Sequence, residues 1–226
     1  MTAHEILAPT RMMPLIIDGL RATGKLHCLW EKDDPEAFLR ENAAKIGAIA
    51  AGAHIAINGP YMSQFPNLKL VANFGVGYDS VDANWAGKHG IIVTNTPDVL
   101  TEEVADTALG LLLMTIRELP QSERWLRAGL WESKGPYPLT RNTLRGKTMG
   151  ILALGRIGKA IAKRCESFGV SIVYHGRSAQ KDAPYRYYSS LVDMAKDVDI
   201  LMSVAPGGDG TKHIINHAVL QALGPM

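Results

Sequence analysis

Two hydrophobic periods alternate along this chain, and the change from one to the other marks its elements. Short, mostly apolar runs at 5–8, 26–30, 46–51, 68–73 and 91–94 have the length and filling of strands covered on both faces. Between them the spacing predicts helices over 12–22 and 35–44, the latter with Phe38 and Leu39 inward. A short helix near 60–65 and a further one after Asp82 complete the series. A small-residue loop, Ala51-Gly52-Ala53, follows the third strand. Strands alternating with helices predict a parallel α/β sheet. The pattern breaks near Pro97, so residues 1–99 read as one domain and 100–226 as a second.

The second region opens with Thr101, expected to cap a helix whose first turn carries Glu102 and Glu103, as the helix dipole favours. Its body, 104–116, is apolar almost all round and is expected to be buried. Asp106 and Thr107 are the polar exceptions; they either face a cleft or bond neighbouring backbone. Residues 120–137 hold Trp125, Trp131 and Tyr137 without a clean period. They read equally as a subunit contact or as a helix packed on its own domain. Strands follow at 148–154, 170–174 and 199–204, a short helix at 191–195, and a last helix at 218–223 capped by Asn216.

The stretch 147–164, KTMGILALGRIGKAIAKR, joins a buried strand to a helix through Ala153-Leu154-Gly155-Arg156-Ile157-Gly158. Gly155 lets a phosphate approach the backbone, and Gly158 lets the helix pack against the strand. The first N–H groups of such a helix have no intrahelical partner and suit a pyrophosphate. Strand, turn and helix in this order make a dinucleotide fingerprint. It departs from G-x-G-x-x-G at Ala153, where alanine is expected to serve if its φ stays negative. The strand ending at 174 leads into His175-Gly176-Arg177-Ser178, roughly twenty residues beyond the glycines, where a carboxylate would bond the ribose of NAD. An arginine and a hydroxyl there suit a 2′-phosphate, favouring NADP over NAD.

A second glycine loop, Phe74-Gly75-Val76-Gly77-Tyr78-Asp79, stands at a strand's C-terminal end, where open α/β sheets place ligands. It reads either as an anion-binding nest, with a carboxylate as the natural guest, or as a plain turn. The loop Ala205-Pro206-Gly207-Gly208, after the last strand, is expected to lie over the cofactor.

Composition changes the picture little. With 24 Lys and Arg against 22 Asp and Glu, the net charge is +2 and no basic block stands out, which argues against nucleic acid and membrane surfaces. Pro9, Arg11, Pro14 and Asp18 interrupt the N-terminal stretch, so no signal peptide is expected. The longest apolar run, 108–116, is too short to span a bilayer. The two cysteines, Cys28 and Cys165, fit buried thiols in a reducing cytoplasm.

Taken together, NFGVGYDSVD (73–82), NTPDVLTEEVADTALGLLL (95–113), LGRIGKAIAKR (154–164) and HIINHAVLQALGP (213–225) resemble the D-isomer-specific 2-hydroxyacid dehydrogenases over essentially the whole chain. Residues 174–178 and the YRYY run (185–188) look most like the NADPH-dependent glyoxylate and hydroxypyruvate reductases, including the hydroxyphenylpyruvate reductase type. The resemblance implies a flavodoxin-like substrate domain and an incomplete Rossmann dinucleotide-binding domain. It implies a small 2-oxo acid substrate bound by the backbone at Val76 and Gly77. Leu154, Gly155, Arg156 and Ile157 would hold the pyrophosphate, with Gly158 completing the cofactor-binding turn, and Gly176, Arg177 and Ser178 would surround the 2′-phosphate. Val204, Ala205 and Pro206 would line the adenosine and nicotinamide-ribose side. It further implies a homodimer, with Trp131 reaching toward the partner's active site.

The family's arginine, glutamate and proton-donating histidine would lie beyond Met226. None of His4, His27, His54, His89, His175, His213 and His217 matches that histidine. Three expected strands after 101–116 are about half of a six-stranded nucleotide domain. The chain is therefore expected to be inactive alone, as a fragment of a reductase. The alternative is a truncated, non-catalytic protein that binds dinucleotide or pairs with intact subunits.

Overall fold

The computed structural model describes residues 5–52 and 55–225. They fall into two compact units, Met1–Val99 and Leu100–Met226. The first contains β1 (Glu5–Ala8), α1 (Pro14–Thr23), β2 (Leu26–Cys28), α2 (Pro35–Asn42), β3 (Ile46–Gly52), α3 (Gly59–Met62), β4 (Leu70–Phe74), α4 (Ala83–Lys88) and β5 (Ile92–Thr94). The second contains α5 (Thr101–Ile116), α6 (Leu119–Arg127), α7 (Leu130–Lys134), β6 (Thr148–Leu152), α8 (Arg156–Glu166), β7 (Ser171–His175), β8 (Arg186–Tyr188), α9 (Leu191–Lys196), β9 (Ile200–Ser203) and α10 (His217–Leu223).

All pairings are parallel. The first sheet runs β2-β1-β3-β4-β5, the flavodoxin-like order, and the second β8-β7-β6-β9, the order of the first four strands of a Rossmann sheet. The expected α/β class with two parallel sheets is therefore what the chain forms. Leu7, Ile46, Ile49 and Val71 fill the first core, and Met149, Ile151, Ile161 and Tyr174 the second. No helix among the described residues is long and apolar enough to cross a membrane.

Several elements differ from the sequence reading, each for a local reason. The strand expected over 26–30 ends at Cys28, and Leu29–Glu31 winds into a 3-10 turn. Ala51 and Gly52 belong to β3 rather than to a loop, while Ala53 and His54 lie outside the described residues. Thr101 is the first helical residue rather than the cap; Leu100 precedes it and no side chain caps α5. Residues 120–137 supply two helices. Trp125 there meets Tyr137 edge-on and donates from Nε1 to the Gly135 carbonyl, so both aromatics pack locally. The YRYY run supplies β8, making four strands where three were expected. Its three residues have no period of their own, and only pairing with β7 identifies them.

The helix α5 is not buried all round. Ala105, Leu112 and Ile116 are buried, whereas Val104, Leu111 and Met114 are exposed. Asp106 neither bonds backbone nor stands free. Its carboxylate accepts from Arg164 Nε at 2.6 Å, and Glu102 accepts from the same guanidinium at 2.8 Å. These bonds tie α5 to α8, the helix of the glycine turn. Thr107 lines an apolar trough of about 810 Å³ between α5 and the open edge of β9, with Leu111, Ile200 and Met202.

Candidate functional site

The strand β6 stops at Leu152, two residues earlier than expected, and the chain turns through Ala153-Leu154-Gly155 into α8. Ala153 adopts φ +74°, the left-handed region, so the expectation of a negative φ is overturned. Two hydrogen bonds hold the turn in this form. Ala153 N–H donates to the His175 carbonyl at 2.8 Å, and Gly155 N–H turns back to the Ala153 carbonyl at 3.0 Å. That same carbonyl lies 2.6 Å from where a β-carbon on Gly158 would sit, so only glycine admits the approach of α8 to the turn.

The first intrahelical bond beyond the turn runs from Lys159 N–H to the Gly155 carbonyl. The N–H groups of Ile157 and Gly158 precede it and have no acceptor among the described residues. A β-carbon on Gly155 would meet nothing within 4 Å, so its outer face is open. A turn open at Gly155, with unpaired N–H groups at the start of an eleven-residue helix, fits a pyrophosphate.

Two further loops reach the same sheet edge. The one after β7 is tied down at both ends. Tyr187 Oη donates to the Gly176 carbonyl at 3.2 Å, and Gln180 N–H donates to Tyr174 Oη at 2.7 Å. Gln180 Nε2 also donates to the Leu154 carbonyl at 2.7 Å, fastening this loop to the glycine turn. Arg177 and Ser178 lie exposed between these anchors, and Arg177 makes no ion pair among the described residues. On the other side, Val204 N–H donates to the Leu152 carbonyl at 3.1 Å, and its side chain comes within 3.4 Å of the Gly158 β-position. Ala205 and Pro206 continue from it, and Thr211 Oγ1 donates to the Pro206 carbonyl. The three loops stand at the C-terminal ends of β7, β6 and β9, where the strand order reverses between β6 and β9. Open α/β sheets bind ligands at such a point.

The loop 75–79 belongs to the first unit and follows β4, which takes in Phe74 as well as Asn73. Asn73, 2% exposed, donates from Nδ2 to the Gly77 carbonyl at 2.9 Å, and Asn95 Nδ2 donates to the Val76 carbonyl at 2.8 Å. Sequence reasoning missed Asn73, Asn95 and Gln180. Each is an ordinary polar residue whose role depends on a carbonyl presented by the folded chain.

Among titratable groups, burial pushes Tyr61 up to about 12, and burial likewise raises the thiols of Cys28 and Cys165, both free and buried. These groups stay protonated at neutral pH. His213 and His217 sit at a turn and at the first position of α10. No cluster of His, Cys, Asp or Glu among the described residues could hold a metal ion.

Residues 109–226 match the model of the D-isomer specific 2-hydroxyacid dehydrogenase, NAD binding domain. The chain belongs to that family. Within it, the chain is 41% identical over 195 residues to glyoxylate/hydroxypyruvate reductase A of Arabidopsis thaliana, covering 86% of this chain and 62% of that protein. It is 39% identical over 225 residues to hydroxyphenylpyruvate reductase of Plectranthus scutellarioides, covering 100% of this chain and 71% of that one. The crystal structure of an NADPH-dependent glyoxylate/hydroxypyruvate reductase from Sinorhizobium meliloti, in complex with NADP and malonate, superposes with a TM-score of 0.87 at 44% identity. That match covers 98% of this chain and 68% of the other. This 2-hydroxyacid dehydrogenase chain thus spans about two thirds of its relatives' length.

Proposed function

We propose that this chain is the substrate-carboxylate and dinucleotide-binding portion of a reductase that converts a small 2-oxo acid, of the glyoxylate or hydroxypyruvate class, to the D-2-hydroxy acid with NADPH. The observation that carries the reading is the Gly176-Arg177-Ser178 loop. It stands beside the glycine turn with a guanidinium that makes no ion pair among the described residues and a hydroxyl, where an NAD enzyme would present a carboxylate. Residues 1–99 are the substrate-binding domain and 100–226 the dinucleotide-binding domain. Leu154, Gly155, Arg156, Ile157 and Gly158 hold the pyrophosphate. Gly176, Arg177 and Ser178 surround the 2′-phosphate, and Val204, Ala205 and Pro206 line the adenosine and nicotinamide-ribose side. Val76 and Gly77 take the substrate carboxylate.

When bound, the nicotinamide supplies the hydride that reduces the oxo carbon. The residues of this chain bind and orient the two partners. Proton donation belongs to family residues outside these 226, so the chain alone gives no turnover with glyoxylate. NAD is the weaker ligand. The working protein is a homodimer in the cytoplasm, with Trp131, 55% exposed on α7, at the subunit contact.

Calorimetric titration tests the cofactor assignment. NADPH is expected to bind at least tenfold more tightly than NADH, and Arg177→Ala to remove most of that difference while leaving NADH unchanged. Equal affinities for both dinucleotides, before and after the substitution, would overturn it.

A further inference from the structure

We infer that Asn73 and Asn95, with the N–H of Thr96, are positioning residues that turn three successive amides, those of Val76, Gly77 and Tyr78, outward as a carboxylate site. This rests on the reading of 74–79 as the substrate-carboxylate loop and deepens it. It adds a third donor and names what aims all three.

The argument begins with the peptide plane. In a trans peptide the C=O of one residue and the N–H of the next point in opposite directions, and every peptide bond among the described residues is trans. Fixing a carbonyl therefore aims the following N–H. The Gly75 carbonyl accepts from Thr96 N–H at 3.0 Å, which sends Val76 N–H the other way. The Val76 carbonyl accepts from Asn95 Nδ2 at 2.8 Å, which does the same for Gly77 N–H. The Gly77 carbonyl accepts from Asn73 Nδ2 at 2.9 Å, which does so for Tyr78 N–H.

The three carbonyls share one side. Asn73 Nδ2 reaches both Gly77, at 2.9 Å, and Gly75, at 3.5 Å, while Thr96 and Asn95 are neighbours in the chain. Three consecutive carbonyls on one side leave three consecutive N–H groups on the other, the arrangement of an anion-binding nest. None of those N–H groups has an acceptor among the described residues, and Gly77 and Tyr78 are exposed. The orientation of the Asn73 amide is not arbitrary. Its Oδ1 finds no donor among the described residues, and a flip would set that oxygen against two carbonyl oxygens. The wrapping is close: a β-carbon on Gly75 would lie 3.3 Å from the Gly77 oxygen and 3.4 Å from Asn73 Nδ2. Asp79 is the opposing charge to be overcome, with Oδ2 3.3 Å from the Gly77 β-position.

The test is a titration of the 15N-labelled 226-residue chain with glyoxylate, read at single amides. Saturable shifts at Val76, Gly77 and Tyr78, absent from the loop Gly207-Gly208, are expected. In Asn95→Ala the Gly77 response should collapse while that of Val76 persists; in Asn73→Ala the Tyr78 response should collapse. Each variant should bind at least tenfold more weakly. This register, one residue beyond the released carbonyl, is what a merely structural role would not produce. Should the buried Asn73→Ala fail to fold, the half-buried Asn95→Ala decides alone. Wild-type shifts with unchanged variants would overturn the positioning role and leave the carboxylate reading intact. Shifts at Val76 and Gly77 without Tyr78 would overturn the third donor. No shift at any of the three would overturn both.

Discussion

Arg164 on α8 donates from Nε to Asp106 on α5 across 2.6 Å, and its terminal nitrogen reaches Glu102 one turn earlier on the same helix. Glu102 and, after it, Asp106 hold its guanidinium pKa above the ordinary arginine value through those hydrogen bonds. Arg164→Ala should lower the unfolding temperature of the second unit by ~3 °C at low salt, and the difference should shrink in 1 M salt as screening grows. Thermal scans at two ionic strengths would check this, and an effect indifferent to salt would contradict the ionic account.

Ala153 offers a gain rather than a loss. A non-glycine residue in the left-handed region costs about 1–2 kcal/mol, while glycine loses about 0.4–1 kcal/mol through the unfolded chain. Ala153→Gly should therefore stabilise the second unit by about 0.5 kcal/mol, read from urea midpoints. A loss of stability would show that the turn is not strained.

Gly158→Ala should act in the opposite direction. The added β-carbon would fall 2.6 Å from a backbone oxygen, so α8 or the turn must shift. A cost of about 2 kcal/mol and a loss of NADPH binding of tenfold or more are expected. An alanine variant with both properties unchanged would sink the packing argument.

The Asp199 carboxyl is held below its ordinary value by the Lys147 ammonium at 2.7 Å and by Thr148 N–H at 2.9 Å. A carboxyl depressed in the folded state contributes stability that is complete above the unfolded value near 4 and is lost as pH falls through the folded one. Both side chains are more than a third exposed, so screening leaves about 0.5 kcal/mol. Urea midpoints should fall below pH 4, and Asp199→Asn should flatten that part of the limb while costing stability at pH 7. Parallel curves for the two proteins would exclude the pair as a cause.

Legibility in the sequence followed the range of the interactions concerned. The strand beginning at Thr148, the glycine turn and the helix behind it were readable because strand filling, turn and helix period all lie within about twenty residues, although the strand ends at Leu152 rather than at 154. The expected burial of α5 failed because an apolar surface does not say whether this chain covers it, and Leu111 stays 59% exposed. The strand β8 was unreadable because three residues carry no period, and β7 defines them.

By itself the sequence determined the α/β class, the two regions dividing near residue 100, the glycine turn and the loop carrying Arg177, since each is written in local periodicity or backbone permissiveness. Only the tertiary structure decided which way the peptides of 75–78 face and what φ Ala153 must take. It also decided that Asp106 serves Arg164. The reason is distance along the chain: Asn95 reaches Val76 across 19 residues and Arg164 reaches Asp106 across 58. A hydrogen bond between such partners exists only after the strands and helices carrying them have packed.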